Sequence, residues 1–108
     1  MKMFISQPMN GRQESEIKGE RERIKVKLID LFGSTSNGTL EFIDAFIEDN
    51  EFVPREGNIP LWYLARFIQD LSMADVAFFA KGWKSARGCR IEHECAEQYG
   101  IMIIEEGE

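Results

Sequence analysis

The sequence predicts an α/β fold in which a parallel sheet of about four strands is flanked by three helices. Short apolar runs alternate with longer amphipathic segments, and the run at residues 75–80 is almost continuously apolar, as in a strand covered on both faces. No repeat or linker divides the 108 residues, so residues 1–108 form a single domain. This alternation, with right-handed crossovers, predicts a small Rossmann-like (flavodoxin-like) sheet.

The first strand is predicted at residues 3–6 and ends at a turn-rich segment, residues 7–11. A helix begins at Ser15, with Glu16 in its first turn, where the helix dipole favours negative charge, and ends at Gly33. Its apolar stripe recurs at helical period and consists of Ile17, Ile24, Leu28 and Leu31. The charged residues between them predict a solvated face of Glu20, Arg21, Glu22, Arg23, Lys25 and Lys27.

The second half of the chain repeats the alternation. A strand at residues 40–46 follows a loop at 34–38 and precedes a long polar loop at 48–60. Pro60 suits the first turn of the second helix, which extends to Leu71. The strand at 75–80 follows, then a loop at 81–88, a helix at 89–99 ended by Gly100, and a last buried strand at 101–104.

Composition narrows the classes of partner. A net charge of −6 argues against binding along a phosphate backbone, because such binding needs a basic face. No apolar run approaches the roughly 20 residues of a membrane span, and the N-terminal apolar run is shorter than a signal peptide. Cys89 and Cys95, with His93 as the one added candidate, are too few for a zinc site or a disulfide scaffold. We therefore expect a cytoplasmic protein with a small-molecule ligand and without nucleic acid, membrane, metal or other cofactor.

Two loops at the carboxyl ends of the predicted strands carry polar residues suited to a nucleotide. In the first, amide side chains can contact a base edge and a glycine permits close backbone approach; its candidate residues are Ser6, Gln7, Pro8, Met9, Asn10 and Gly11. The alternative is a polar turn without a ligand. Asp44, after the second strand, resembles the acidic position that contacts ribose in doubly wound folds, although the motif G-x-G-x-x-G is absent.

The loop and helix start at residues 82–94 form the most unusual segment of the sequence. Trp83 is suited to stack on a base or sugar, and the helix N-terminus is suited to bind an anion with Ser85, Arg87, Gly88 and Arg90. Glu92, in the first turn of that helix, is the candidate nucleophile or base. In the alternative interpretation the arginines pair with Glu92, Glu94 and Glu97, and His93 is a partly exposed helix residue.

These segments together resemble the nucleoside 2-deoxyribosyltransferase-like superfamily, and most closely its short phage and bacterial members. The superfamily signature is a glutamate followed by alanine four and glycine eight residues later, which matches Glu92, Ala96 and Gly100; Gly88 matches a family glycine before it. The resemblance covers nearly the whole chain. It implies an N-glycosidase or deoxyribosyltransferase acting on deoxynucleosides or their monophosphates, with Glu92 attacking the anomeric carbon and displacing the base.

Three positions depart from that family pattern. Glu94 stands where a glycine is common, and Phe67 stands where active relatives have an aspartate, with Asp70 the nearest one. The first loop has Gln7 and Met9 in the region of the usual aromatic residue. A non-catalytic module that captures or senses a nucleotide-derived ligand is therefore the alternative function, and a structural subunit or protein inhibitor is a third.

The small size of the domain also predicts a homo-oligomer. Four strands and three helices provide little material to cover both faces of the sheet or to close a site against water. The second helix carries Trp62, Tyr63 and Phe67, which are expected in the core or at a subunit interface rather than as a stacking platform.

Overall fold

The computed structural model describes residues 1–33, 40–43 and 55–107. Its elements are β1 (Lys2–Ser6), α1 (Glu14–Phe32), β2 (Glu41–Ile43), α2 (Ile59–Leu71), β3 (Val76–Phe79), a 3-10 turn (Trp83–Ser85), α3 (Arg87–Gln98) and β4 (Met102–Glu105). All strand pairings are parallel, and the order across the sheet is β2-β1-β3-β4. The predicted small Rossmann-like fold is confirmed. No helix in these ranges is both long and apolar enough to cross a bilayer.

The strand order places a topological switch point between β1 and β3. From β1 the chain passes to β2 on one side, and it then returns to β3 on the other side. Ser6, the last residue of β1, lies in register with Phe79, and the Ala80 amide donates a 2.9 Å hydrogen bond to the Ser6 carbonyl. Ligands of open α/β sheets bind beyond the carboxyl ends of the strands at such a point.

Alternating residues of the two central strands build an apolar cluster on each face of the sheet. On one face Met3, Ile5, Val76 and Phe78 pack with Ile24 and Leu28 of α1. On the other, Phe4, Ala77 and Phe79 pack with Leu71 of α2 and Ala96 of α3. The period of two along each strand produces this separation. Helices of the same chain thus pack on both faces of the two central strands, and the homo-oligomer stays a prediction.

Helix α1 departs from the prediction in its inward face. Arg21, expected on the solvated face, is only 3% exposed, and its Nη2 donates a 2.8 Å hydrogen bond to the carbonyl of Ile43 at the end of β2. Leu31, expected in the apolar stripe, is 57% exposed because Phe32 packs against the core in the last turn. The helix begins at Glu14 rather than at Ser15.

Three other elements refine the predicted boundaries. Asn58 caps α2 by accepting a 3.1 Å hydrogen bond from the Leu61 amide, and Pro60 lies in the first turn as predicted. Strand β2 ends at Ile43, and the rest of the predicted strand, including Asp44, lies outside the described residues. Strand β4 is not buried as predicted, because within the described residues it pairs with β3 at an edge of the sheet, and Met102 is 60% exposed.

Glu106 fastens the segment after β4 to the sheet and to α1. Its carboxylate accepts hydrogen bonds from the Arg23 guanidinium at 2.9 and 3.1 Å, from Lys27 Nζ at 3.3 Å and from the Lys81 amide at 3.0 Å. Its own amide donates to the Phe79 carbonyl at 2.8 Å. The hydrogen bond from Arg23 is the largest cause that lowers the pKa of Glu106 to about 2. The ionised carboxylate therefore stabilises the fold.

Glu106→Gln should lower the free energy of unfolding by about 1 to 2 kcal/mol at neutral pH, because the amide loses the charge that binds Arg23 and Lys27. A carboxylate with a lowered pKa stabilises the fold above its ordinary pKa of 4.5, and this contribution disappears as pH falls to about 2. Denaturant titrations of both proteins at several pH values measure the difference. Glu56→Gln, at an exposed position before α2, is the control. An equal difference at pH 2 and pH 7 would contradict this account.

Candidate functional site

The carboxyl ends of β1 and β3 bring the predicted loops at residues 7–11 and 81–88 into contact. Gly82, which follows β3, adopts φ +89°, a conformation that favours glycine, and a Cβ built on it would lie 3.6 Å from Pro8 Cγ. The 3-10 turn starts at the next residue and leads into α3. Residues from both loops therefore meet at the switch point of the sheet, as the sequence predicted.

Glu92 projects from α3 to the end of β1. Because α3 begins at Arg87 rather than at the predicted residue 89, Glu92 lies in the second turn and not in the first. The side chain belongs to the buried face of the helix and the residue is 5% exposed. The Ser6 hydroxyl donates a 2.9 Å hydrogen bond to Glu92 Oε1. The interpretation in which Glu92 pairs with loop arginines is therefore wrong.

Burial sets the protonation of Glu92. Removal from water penalises the charged form and raises the pKa of Glu92 to about 7, although the hydrogen bond from Ser6 acts in the opposite direction. A carboxyl group with this pKa exists in both protonation states near neutral pH. A carboxyl group with such a raised pKa is characteristic of functional sites, where it can act as nucleophile, base or acid.

Cys89 completes the buried polar group around Ser6. It lies one turn before Glu92 on the same face of α3 and is buried, and the nearby Ser6 hydroxyl lowers the pKa of its thiol by less than desolvation raises it. Desolvation raises the pKa of the Cys89 thiol to about 11, so the thiol stays protonated and is a poor nucleophile. Cys95 is also a free thiol. Within the described ranges, no three His, Cys, Asp or Glu side chains are grouped to hold a metal ion.

The start of the first loop is hydrogen-bonded to α1 and does not point freely into the rim, which is the edge of the sheet formed by the carboxyl ends of the strands. Gln7 is 4% exposed, and its Nε2 donates to the Ile17 carbonyl at 3.1 Å and to Glu20 Oε1 at 3.0 Å. Arg12 Nη1 donates to the Pro8 carbonyl at 2.9 Å and to the same Glu20 oxygen at 2.8 Å. The Gln7 amide nitrogen is thus used within the protein. Glu20 is not among the predicted site residues, and its position three residues after Ile17, beside the apolar stripe, is the signal in the sequence that indicates it.

The remaining first-loop candidates lie closer to solvent. Pro8 and Met9 are half-buried, while Asn10 and Gly11 are exposed. Gly11 adopts φ +78° with no atom within 4 Å of a Cβ built on it, so its conformation rather than close packing requires glycine. Ser6 differs from them all because it is buried against Glu92.

Trp83 is stacked within the protein on one side. Its ring lies parallel to that of His93, with centroids 4.1 Å apart and an interplanar angle of 7°. His93 also contacts the Phe79 ring at 4.7 Å, and its Nε2 lies 2.7 Å from Glu105 Oε1 on β4. The imidazole therefore joins the turn after β3 to β4, and one indole face is unavailable to a ligand. As predicted, His93 is partly exposed.

The N-terminus of α3 displays basic residues toward solvent. Ser85, Arg87 and Arg90 are exposed, and Arg90 Nη1 donates to the Lys84 carbonyl at 3.1 Å. No capping side chain and no acidic residue occupy the start of α3. Gly88 faces α2, where a Cβ on it would lie 3.9 Å from Leu64 Cδ1. These positive charges oppose the helix dipole, an arrangement that an anion would relieve.

The aromatic residues of α2 pack with one another. The Trp62 and Tyr63 rings meet edge to face at 5.3 Å, and Tyr63 lies 6.5 Å from Phe67. Phe67 packs against the core cluster beneath α2 and α3. Core packing thus accounts for Phe67, at the position where the resemblance implies an aspartate.

Comparison with known proteins adds no relative: no family model, curated protein or solved structure matches the chain. The family resemblance therefore stays an expectation, and the functional argument depends on the geometry around Glu92.

Glu92→Gln should stabilise the protein at pH 8, because the amide avoids the cost of ionising a buried carboxyl group. A pKa raised from 4.5 to about 7 makes folding less favourable as pH rises through this interval, by on the order of 3 kcal/mol at most. Denaturant titrations at pH 4 and pH 8 measure the change, with the exposed Glu94→Gln as control. A variant no more stable than the unsubstituted protein at pH 8 would refute the assigned burial cost.

Proposed function

We propose that this protein is an N-glycosidase or deoxyribosyltransferase acting on deoxynucleosides or deoxynucleoside monophosphates, with Glu92 as nucleophile. One observation carries the proposal: the buried carboxyl group of Glu92, which accepts a hydrogen bond from Ser6, lies at the carboxyl ends of the two central strands. This is the place where open α/β sheets bind ligands. The expected family signature around Glu92 supports the same chemistry.

The reaction proceeds through a sugar ester of Glu92. A carboxylate oxygen bonds to the anomeric carbon as the bond to the base nitrogen breaks, and that electron pair leaves with the base, which takes a proton from solvent. The negative carboxylate stabilises the oxocarbenium-like transition state. Water or a second base then bonds to the anomeric carbon and loses a proton to solvent, and the ester bond breaks with its electrons returning to the Glu92 carboxylate. The nucleophile must be ionised, so the first step is favoured above the Glu92 pKa of about 7.

The surroundings of Glu92 fit a small anionic substrate. Arg87 and Arg90 lie at the uncapped start of α3, where they would hold a 5′-phosphate. Trp83, already stacked on His93, would offer its other face to a base or sugar. Met9, Asn10 and the other residues of the first loop would border the same ligand. Asp44, assigned to the ribose in the sequence analysis, lies outside the described residues.

Replacement of Glu92 should abolish base release. We expect the unsubstituted protein to release free base from at least one common deoxynucleoside or its monophosphate, measured by chromatography, and Glu92→Ala and Glu92→Gln to lose at least about 100-fold in rate. Glu94→Gln, at an exposed position on the same helix, should retain activity. If the unsubstituted protein releases no base from any of these compounds, the proposed reaction is wrong.

The second candidate is a module that binds a nucleotide-derived ligand without cleaving it. Burial favours it, because the 5% exposure of Glu92 leaves little carboxyl surface for a substrate and the group is readily neutral. Calorimetry with deoxynucleoside monophosphates separates the candidates. Binding that is lost in Arg87→Ala and Arg90→Ala, with no base release, supports the module. Binding accompanied by base release supports the enzyme.

We further propose a cytoplasmic homo-oligomer. Free Cys89 and Cys95 thiols suit a reducing compartment. Leu61 on α2 is 58% exposed, beside the aromatic residues Trp62 and Tyr63, and this surface would bury apolar area against a second copy. Light scattering should give a mass of at least two chains, and Leu61→Lys should reduce it to one. A monomeric mass for the unsubstituted protein would disprove the oligomer.

A further inference from the structure

The Ser6 hydroxyl occupies a fixed position in the molecule. Ser6 is 2% exposed, its neighbour in register is Phe79 of β3, and its carbonyl accepts from the Ala80 amide. Backbone pairing in the centre of the sheet thus holds the residue, while Glu92 arrives from α3. The sequence analysis counted Ser6 among ligand-binding residues, but its hydroxyl proton is directed to the protein's own carboxyl group.

The two oxygens of Glu92 have different surroundings. Oε1 accepts the hydrogen bond from Ser6 at 2.9 Å. Oε2 makes no hydrogen bond to the described residues and is not fully buried. The small exposed area of Glu92 therefore includes Oε2.

We propose that Ser6 is a positioning residue that holds Glu92 Oε1, and thereby leaves Oε2 as the oxygen that bonds to the anomeric carbon. The inference rests on the proposed function and assigns the reacting atom within it. The bond forms between Oε2 and the anomeric carbon, the base leaves with the electrons of its bond to that carbon, and Oε1 keeps its hydrogen bond throughout.

The same hydrogen bond keeps the carboxyl group reactive. A donor directed at a carboxylate favours the ionised form, whereas burial favours the neutral form, which is a poor nucleophile.

The neighbouring titratable groups do not replace Ser6 in this role. From α1, Glu20 is paired with Arg12, and from α3 itself Cys89 is neutral. His93 is turned toward Trp83 and Glu105, and Glu94 accepts from Gln98 on the exposed side of the helix. Among the described residues, the Ser6 hydroxyl is the group whose contact counters the burial of Glu92.

The test is a carbon-13 NMR titration of the Glu92 side-chain carboxyl group in the unsubstituted protein, Ser6→Ala and Ser6→Thr, without substrate. Ser6→Ala should raise the midpoint of the Glu92 titration by about one pH unit. Ser6→Thr, which keeps the hydroxyl, should have the midpoint of the unsubstituted protein. Ser72→Ala, at the end of α2, is the matched serine control and should change nothing. Circular dichroism verifies folding. If Ser6→Ala does not fold, Ser6→Cys replaces it; because a thiol is a weaker donor than a hydroxyl, the midpoint of the Glu92 titration should lie above that of the unsubstituted protein.

Activity provides the second measurement. The kcat of Ser6→Ala at pH 7 should fall about fivefold and recover as pH rises, with little change in KM, because fewer molecules hold an ionised carboxylate. A crystal structure of the sugar ester should show the bond to Oε2; a bond to Oε1 with Ser6 displaced overturns the inference. An unchanged NMR midpoint also overturns it. If Ser6→Ala raises the midpoint of the Glu92 titration but the unsubstituted protein releases no base, the proposed function is overturned, and the positioning of Glu92 by Ser6 is supported.

Discussion

A carboxyl group buried between a helix and the end of a strand is the constraint on which this architecture depends. The Ser6–Glu92 hydrogen bond spans 86 positions of the chain and joins its first strand to its last helix. Desolvation of Glu92 costs free energy that one hydroxyl offsets only in part, so apolar packing on both faces of the sheet must carry the remainder. The buried position of Glu92 thus lowers the stability of the fold and favours the proposed reaction.

Two sets of contacts on opposite sides of Glu92 keep its surroundings in place. On the α1 side, Glu20 accepts from both Gln7 and Arg12, which fixes the path of the first loop. On the β4 side, His93 is held between the Trp83 ring and Glu105, which fixes the turn after β3. Both loops leave the sheet at its central strands, so the rim is anchored before any ligand arrives. Preorganised polar groups of this kind cost little rearrangement during reaction.

The features that depend on local periodicity could be predicted from the sequence. The positions of polar side chains that turn inward could not. Strands β1 and β3 and the start of α2 were recognisable from an apolar run or from proline in a first turn. Arg21 is predicted on the solvated face and Gln7 in a ligand-binding loop, because neither side chain indicates that it donates to a backbone carbonyl within the protein. The shift of Glu92 by one turn followed from a two-residue error at the helix start, a boundary that local sequence specifies weakly. The hydrogen bond between Glu92 and Ser6 depends on the order of the strands in the sheet, and no local sequence pattern specifies that order.

The stacked rings of Trp83 and His93 give the molecule an optical property. An indole in van der Waals contact with an imidazole emits differently from one in water, and its emission depends on the charge of that imidazole. Since His93 follows Glu92 on the same helix and is tied to β4 through Glu105, small displacements of α3 alter the ring overlap. The protein thus contains a natural fluorophore stacked on the residue that follows its candidate nucleophile, and in a variant in which Trp62 is replaced the emission of Trp83 would report the position of that helix without an attached label.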